Sequence, residues 1–145
     1  MLDGMIKTDL NIFKAESGSV LHAMKKTDVG YRGFGEVYFS TVDKDAIKAW
    51  KLHKFMTLNL IVPIGSVLFC FMDVREKSKT FNKTCRLILS QDPYFRLTVP
   101  QGIWFGFKGV STGFNTICNI ADIPHDPNEV MRKDIDEIEI DWSTK

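Results

Sequence analysis

The chain of 145 residues is short of most features that identify a protein class at sight. It has three cysteines, Cys70, Cys85 and Cys118, an odd number with no CxxC pair among them. That spacing suits neither a disulfide framework nor a thiolate zinc site, and reads as reduced, buried thiols in a cytoplasmic protein. Net charge is nearly absent: 19 basic against 18 acidic side chains leave +1, so no basic field draws the chain to nucleic acid. No signal-peptide-like segment is expected at the start. The longest apolar stretch, LIVPIGSVLFCFM, falls short of the ~20 residues a helical bilayer crossing takes, and Pro63 and Gly65 break it. A soluble, cytoplasmic protein with no membrane partner is the expectation. Glycine-rich phosphate loops, HExxH and nucleophile elbows are missing, which removes the commonest enzyme signatures. No repeat of fixed period and no long amphipathic helix is evident.

What is present is strand-like material, 44% hydrophobic and 12% aromatic, enough for one core and one domain over residues 1–145. GEVYFSTV, RLILS and FRLTV carry β-branched and aromatic residues between turn signals such as DKDA, QDPY, PQG and STG. MLDGMIKTDLNIFKAESGSV reads as an edge strand and its turn near Gly18, LHAMKKTDVGYRGFG as a segment that starts like a helix and is cut by glycines. Pro63 to Gly65 should fold the apolar run into a hairpin-like pair. The acidic tail MRKDIDEIEIDWSTK, with Ile135, Ile138, Ile140 and Trp142, should pack against the body. About eight to ten short strands predict an all-β sandwich, jelly roll or barrel. Edge strands in such a fold need protection, and a homodimer is one remedy.

The polar groups gather on one apolar stretch, Asp45 to Asp73, which carries Lys48, Lys51, His53, Lys54 and Asn59. A cation or imidazole inside an apolar strand must find a partner or face water in a cavity. Side chains two apart share a face, so Lys51, His53 and Phe55 are predicted to point one way, Trp50, Leu52 and Lys54 the other. His53 as a base with Lys51 or Lys48 polarising a ketone is the sharp reading. The blander ones are a core histidine bonded to a neighbour and lysines paired with carboxylates such as Glu36. Trp104, Phe105 and Phe107 after the PQG turn either line a pocket that stacks a base or sugar, or pack in the core. His22 and His125 read as loop histidines, and Asp126, Asn128 and Glu129 as a structural turn.

KAWKLHKFMTLNLIVPIGSVLF followed by VPQGIWFGFKG resembles the two halves of a cupin. The run GEVYFS, IKAWKLHK, MTLN, VPQGIWFGFKG, IPHDPNEVMRKD and IDW, over residues 11 to 142, is similar to short relatives of dTDP-4-dehydrorhamnose 3,5-epimerase. The resemblance implies a cupin-type jelly roll, or double-stranded β-helix barrel, that acts on a nucleotide-linked 4-keto-6-deoxy sugar in cell-surface polysaccharide (O-antigen or lipopolysaccharide) synthesis. Metal-binding cupins use HxH, a glutamate and a later histidine; here Lys51, Leu58 and Phe105 hold three of the four positions, so neither metal nor other cofactor is expected. Family chemistry removes a proton next to a ketone with a histidine base and returns one with a tyrosine acid. In the preferred register Lys48 falls on the family's arginine, Lys51 on its catalytic histidine and Asn119 on its tyrosine; a second register places His53 on the histidine. The aspartate that usually supports the family's histidine falls past IDW, where the resemblance finds no counterpart in this sequence. The residues expected at the site are thus His53, Lys51 and Lys48 for catalysis, and Asn59, Trp104, Phe105, Asn119 and Tyr38 for substrate. The alternatives are a degenerate cupin that binds a sugar nucleotide or partner protein without turnover, and a metal-free enzyme of small keto acids.

Overall fold

The computed structural model describes residues 1–144. Its strands are β1 (Ile6–Asp9), β2 (Ile12–Ala15), β3 (Gly18–Leu21), β4 (Glu36–Val42), β5 (Ile47–His53), β6 (Leu58–Ile64), β7 (Ser66–Asp73), β8 (Thr84–Ser90), β9 (Phe95–Val99), β10 (Ile103–Gly109), β11 (Asn115–Ala121) and β12 (Val130–Arg132), with 3-10 turns at Pro127–Glu129 and Ile135–Glu137. The described residues therefore hold twelve strands, more than expected. The surplus is short: the β2–β3 hairpin around Gly18 and the three-residue β12 lie where the sequence shows mainly turn chemistry. LHAMKKTDVGYRGFG forms no helix; its glycines keep it a loop.

Two five-stranded antiparallel sheets face each other, in the orders β1-β9-β6-β11-β4 and β12-β5-β10-β7-β8. Pro63 to Gly65 is not a hairpin. β6 pairs with β9 and β11 in the first sheet while β7 pairs with β10 and β8 in the second, so the chain crosses between sheets there. Gly65 makes the crossing with φ +82°, and a Cβ would run into the Phe114 carbonyl.

The facing sides supply one core, including Leu58, Leu60, Phe69, Phe71, Leu97, Ile103 and Phe107. Each outer side is covered as well. Ile61 and Cys118 of the first sheet pack with Tyr94 against Leu10, Ile12 and Leu21. Arg96, fully buried, holds the overlying loop by donating to the carbonyls of Ala23 (2.7 Å) and Val29 (2.8 Å) and to Asp28 (3.1 Å). On the second sheet Trp50, Leu52, Leu68 and Trp104 lie beneath the tail residues Ile138, Ile140 and Trp142. The tail packs, as its isoleucines imply. Burial on both sides explains why LNLIVPI and SVLFCFMD are near-continuous apolar runs rather than alternating ones. No helix among the described residues is long and apolar enough to cross a membrane.

Candidate active site

The site is built on β5, whose alternation is regular from Trp50 to His53. Trp50 and Leu52 face the tail, while Lys51 and His53 face the space between the sheets, beside Phe105 of β10. Lys48 lies three residues from Lys51 and, in a regular strand, would face outwards. A bulge alters this: Lys51 pairs with Phe105 but Lys48 with Phe107, three residues of β5 against two of β10. The extra residue returns Lys48 to the inner side. There its ammonium donates to the Thr41 carbonyl at 2.7 Å. Neither lysine forms an ion pair with a described residue.

Lys51 borders two spaces. One is a narrow cavity of about 40 Å³ between the sheets, walled by Lys51, Phe105 and Phe107 on one side and Tyr38, Asn119 and Ile117 on the other. The second is an open groove of about 550 Å³ along β5 and β12, lined by Lys48, Lys51, Arg132 and Lys133 with Asp134 and Glu137. Desolvation pulls the Lys51 ammonium below its ordinary value, and the positive charges of Arg132 and Lys48 pull the same way.

Across the cavity a chain of hydrogen bonds fixes Tyr38. The Asn59 backbone N–H donates to Asn119 Oδ1 (3.1 Å), and Asn119 Nδ2 donates to the Tyr38 hydroxyl (2.9 Å). A backbone N–H can only donate, so the Asn119 amide has one possible orientation. Tyr38 is 40% exposed; burial of its hydroxyl, aided by the charges of Glu36 and Glu129, raises its pKa against the opposing effect of the Asn119 bond.

His53 is placed differently from an open base. It is 6% exposed, its Nδ1 is bonded to Glu129 Oε1, and its ring stacks on Phe105 with centroids 5.8 Å apart. It is a core histidine with a partner, behind the cavity wall rather than part of it. Glu129 also accepts the backbone N–H groups of Lys54 (3.1 Å) and Phe55 (3.3 Å) through Oε2. Burial would raise the carboxyl pKa, but the bond and charge of His53 and the backbone donors outweigh it and hold the pKa below the ordinary value. The turn residue Glu129 is thus the carboxylate that supports a histidine.

Of the eight residues expected at the site, five meet at the cavity or its edge: Lys48, Lys51, Phe105, Asn119 and Tyr38. Two point away. Trp104 faces the tail, 4% exposed, with the Lys133 ammonium 5.6 Å from its ring centroid. Asn59, 2% exposed, turns to the outer side of the first sheet, where it accepts from Thr98 (2.7 Å) and donates to the Gly30 carbonyl (3.4 Å). Both corrections follow from strand alternation: Phe105 and Leu58 or Leu60 occupy the inner side, so their chain neighbours cannot. Glu36 does not pair with Lys48 or Lys51. Arg132 is not among the expected residues, and Glu129 is expected only in a structural turn; β12 brings Arg132 opposite Lys51, and no local sequence signal indicates that pairing. Among the described residues no three His, Cys, Asp or Glu side chains converge as a metal site would require.

Comparison with known proteins agrees with this architecture. The chain is 33% identical to a dTDP sugar isomerase from Desulfovibrio desulfuricans G20, superposing with a TM-score of 0.93 over 100% of this chain and 96% of that one. It has the fold of dTDP-4-dehydrorhamnose 3,5-epimerase from Bacillus anthracis str. Ames, solved with TDP and PPi bound (19% identity, TM-score 0.85, 98% and 86% covered). Spore coat polysaccharide biosynthesis protein SpsL of Bacillus subtilis (strain 168) is 23% identical over 100% of this chain and 99% of its own length. Residues 2–145 match the family described as dTDP-4-dehydrorhamnose 3,5-epimerase, so the all-β, cupin-type chain belongs to that family.

Proposed function

We propose that the protein is a cytoplasmic, homodimeric epimerase or isomerase of a nucleotide-linked 4-keto-6-deoxy sugar in cell-surface polysaccharide synthesis. The observation that carries this reading is the meeting, inside a chain of this family, of a basic groove and a cavity that opposes an amine to a phenol. Lys48, Arg132 and Lys133 suit a diphosphate in the groove. A ketone reaching past them would lie between Lys51 and Tyr38, where exchange of a proton on the carbon next to it is the natural chemistry. At about 40 Å³ the cavity holds a few waters rather than a sugar ring, so substrate entry requires Phe105, Phe107 or Tyr38 to move. The dimer draws support from edge strand β4, whose Val37 and Phe39 are 48% and 68% exposed. SpsL and its spore coat polysaccharide support the pathway class.

A second reading, a binding module without turnover, is favoured by Asn119, an amide where the family resemblance expects an acid. Incubation with a dTDP-4-keto-6-deoxy sugar in deuterated water separates the two. Deuterium at carbon 3 or 5 is the expected result; saturable binding with no label at either carbon would replace the enzyme with the binding module. A failure of dTDP sugars to raise the melting temperature would remove the nucleotide sugar itself.

A further inference from the structure

Proton exchange at a carbon needs a base on one side and, if configuration is to change, an acid on the other. Neither His53 nor Asn119 can perform them. His53 lies behind the wall with Nδ1 committed to Glu129, and Asn119 has no transferable proton. Among the described residues that line the cavity, three side chains carry one, Lys51, Tyr38 and Ser40, and a serine hydroxyl is far too weak an acid unaided.

We propose that Lys51 and Tyr38 are the proton-transfer pair, the neutral amine of Lys51 taking the proton from the carbon next to the ketone and the Tyr38 hydroxyl delivering one to the opposite side. This rests on the proton-exchange reading above. The two side chains come from opposite sheets, β5 and β4, and wall the same cavity, which is the disposition an inversion demands. Tyr38 is oriented for donation: Asn119, fixed by the Asn59 backbone N–H, donates to the phenol oxygen, so the phenol's own proton is left for another acceptor. Asn119 is then a positioning residue. In the step, the C–H bond breaks and its electron pair forms the enolate as Lys51 becomes an ammonium. The O–H bond of Tyr38 breaks as the new C–H bond forms on the other face, leaving a phenolate. Water re-protonates the tyrosine and takes the proton from the lysine, closing the cycle with no redox change.

The surroundings serve both protonation states. The groups around Lys51 are Lys48 on its own strand, Arg132, Lys133 and Asp134 on and after β12, Glu137 of the following turn and Tyr38 of β4; β10 presents only Phe105 and Phe107. Desolvation, and after it the charges of Arg132 and Lys48, lower the Lys51 pKa toward the amine form, and the same two cations stabilise a developing enolate. Burial keeps the Tyr38 phenol protonated, as an acid must be.

The test follows deuterium wash-in and epimer formation separately, using a dTDP-4-keto-6-deoxy sugar with the full-length protein. K51M is expected to lose wash-in by at least about 100-fold while retaining affinity for dTDP. Y38F is expected to keep wash-in, now with retention, and to lose epimer formation by a similar factor. H53Q, whose amide can still bond Glu129, is expected to lose less than about tenfold. Wild-type wash-in by K51M, or a wild-type epimer yield from Y38F, overturns the pair while leaving the enzyme reading intact. A folded H53Q as inactive as K51M returns the base to His53. No wash-in by the unaltered protein removes the enzyme reading and this inference together.

Discussion

The two sides of β5 are made from adjacent residues and have opposite characters. On the outer side Trp50 and Leu52, 1% and 7% exposed, are sealed by the tail; Trp142 lies 5.2 Å from Trp50 between ring centroids, and the Trp50 indole donates to the Ile135 carbonyl at 3.1 Å. On the inner side Lys48 and Lys51 form no ion pair with a carboxylate among the described residues. Two lysines and Arg132 held together repel one another, a cost that must be met by packing elsewhere. Ile138, Ile140 and Trp142 thus bury the side of β5 that the lysines do not use, so packing and charge are kept on opposite sides of one strand. Removing either side tests this division.

The largest effect is expected outside. Trp50→Ala empties the centre of the tail interface and strips its indole bond, and should cost about 3–5 kcal/mol of stability, read as a lower midpoint in urea. The tail should loosen with it, so proteolysis after Lys133 should accelerate. A stability change below about 1 kcal/mol would show that the tail is an ornament rather than the support of β5.

An intermediate effect is expected at the inner end of β5. Glu129→Gln keeps the shape of the side chain but removes the charge paired with His53, and should cost about 1–3 kcal/mol near neutral pH. The sign with pH is fixed by the depressed carboxyl. In the wild type its contribution is present above the ordinary value of 4.5 and is lost as pH falls through the lower folded value. The gap between wild type and variant, followed by urea unfolding from pH 7 to pH 3, should therefore close on the acid side. A gap that stays constant would mean that the charge of Glu129 contributes nothing beyond its hydrogen bonds.

The same contrast explains what the sequence could disclose. FRLTV appears as strand β9 over the residues its alternation indicates, and the shared side of Lys51 and His53 follows from their spacing. Which side is inner cannot be read from LNLIVPI and IWFGFKG, because both are apolar on both sides, and the expectation that Asn59 and Trp104 reach the cavity fails for want of that contrast. Lys48 reached the inner side for a reason parity denies, a bulge. Glu129 lies 76 residues from its partner, and its local signals, Asp126 capping the Asn128 N–H and Pro127 beside it, describe only a turn. The family motifs stood in order along the chain, which is why membership was legible while the proton carriers were not.

The smallest effect sharpens the inner side most. Arg132, opposite Lys51 on β12, is one of two cations that, after desolvation, lower the Lys51 pKa. Replacing it by glutamine removes a positive neighbour, favours the ammonium and so raises the Lys51 pKa. If Lys51 is the base, the rising acid limb of kcat/KM for deuterium wash-in should move to higher pH in R132Q, with the plateau rate reduced by less than about tenfold. Were Lys51 only a cation holding an enolate oxygen, the ammonium would be the active form, and the falling limb would move up instead. The direction of the limb that shifts therefore decides what Lys51 does, and a profile that does not move at all denies it either role.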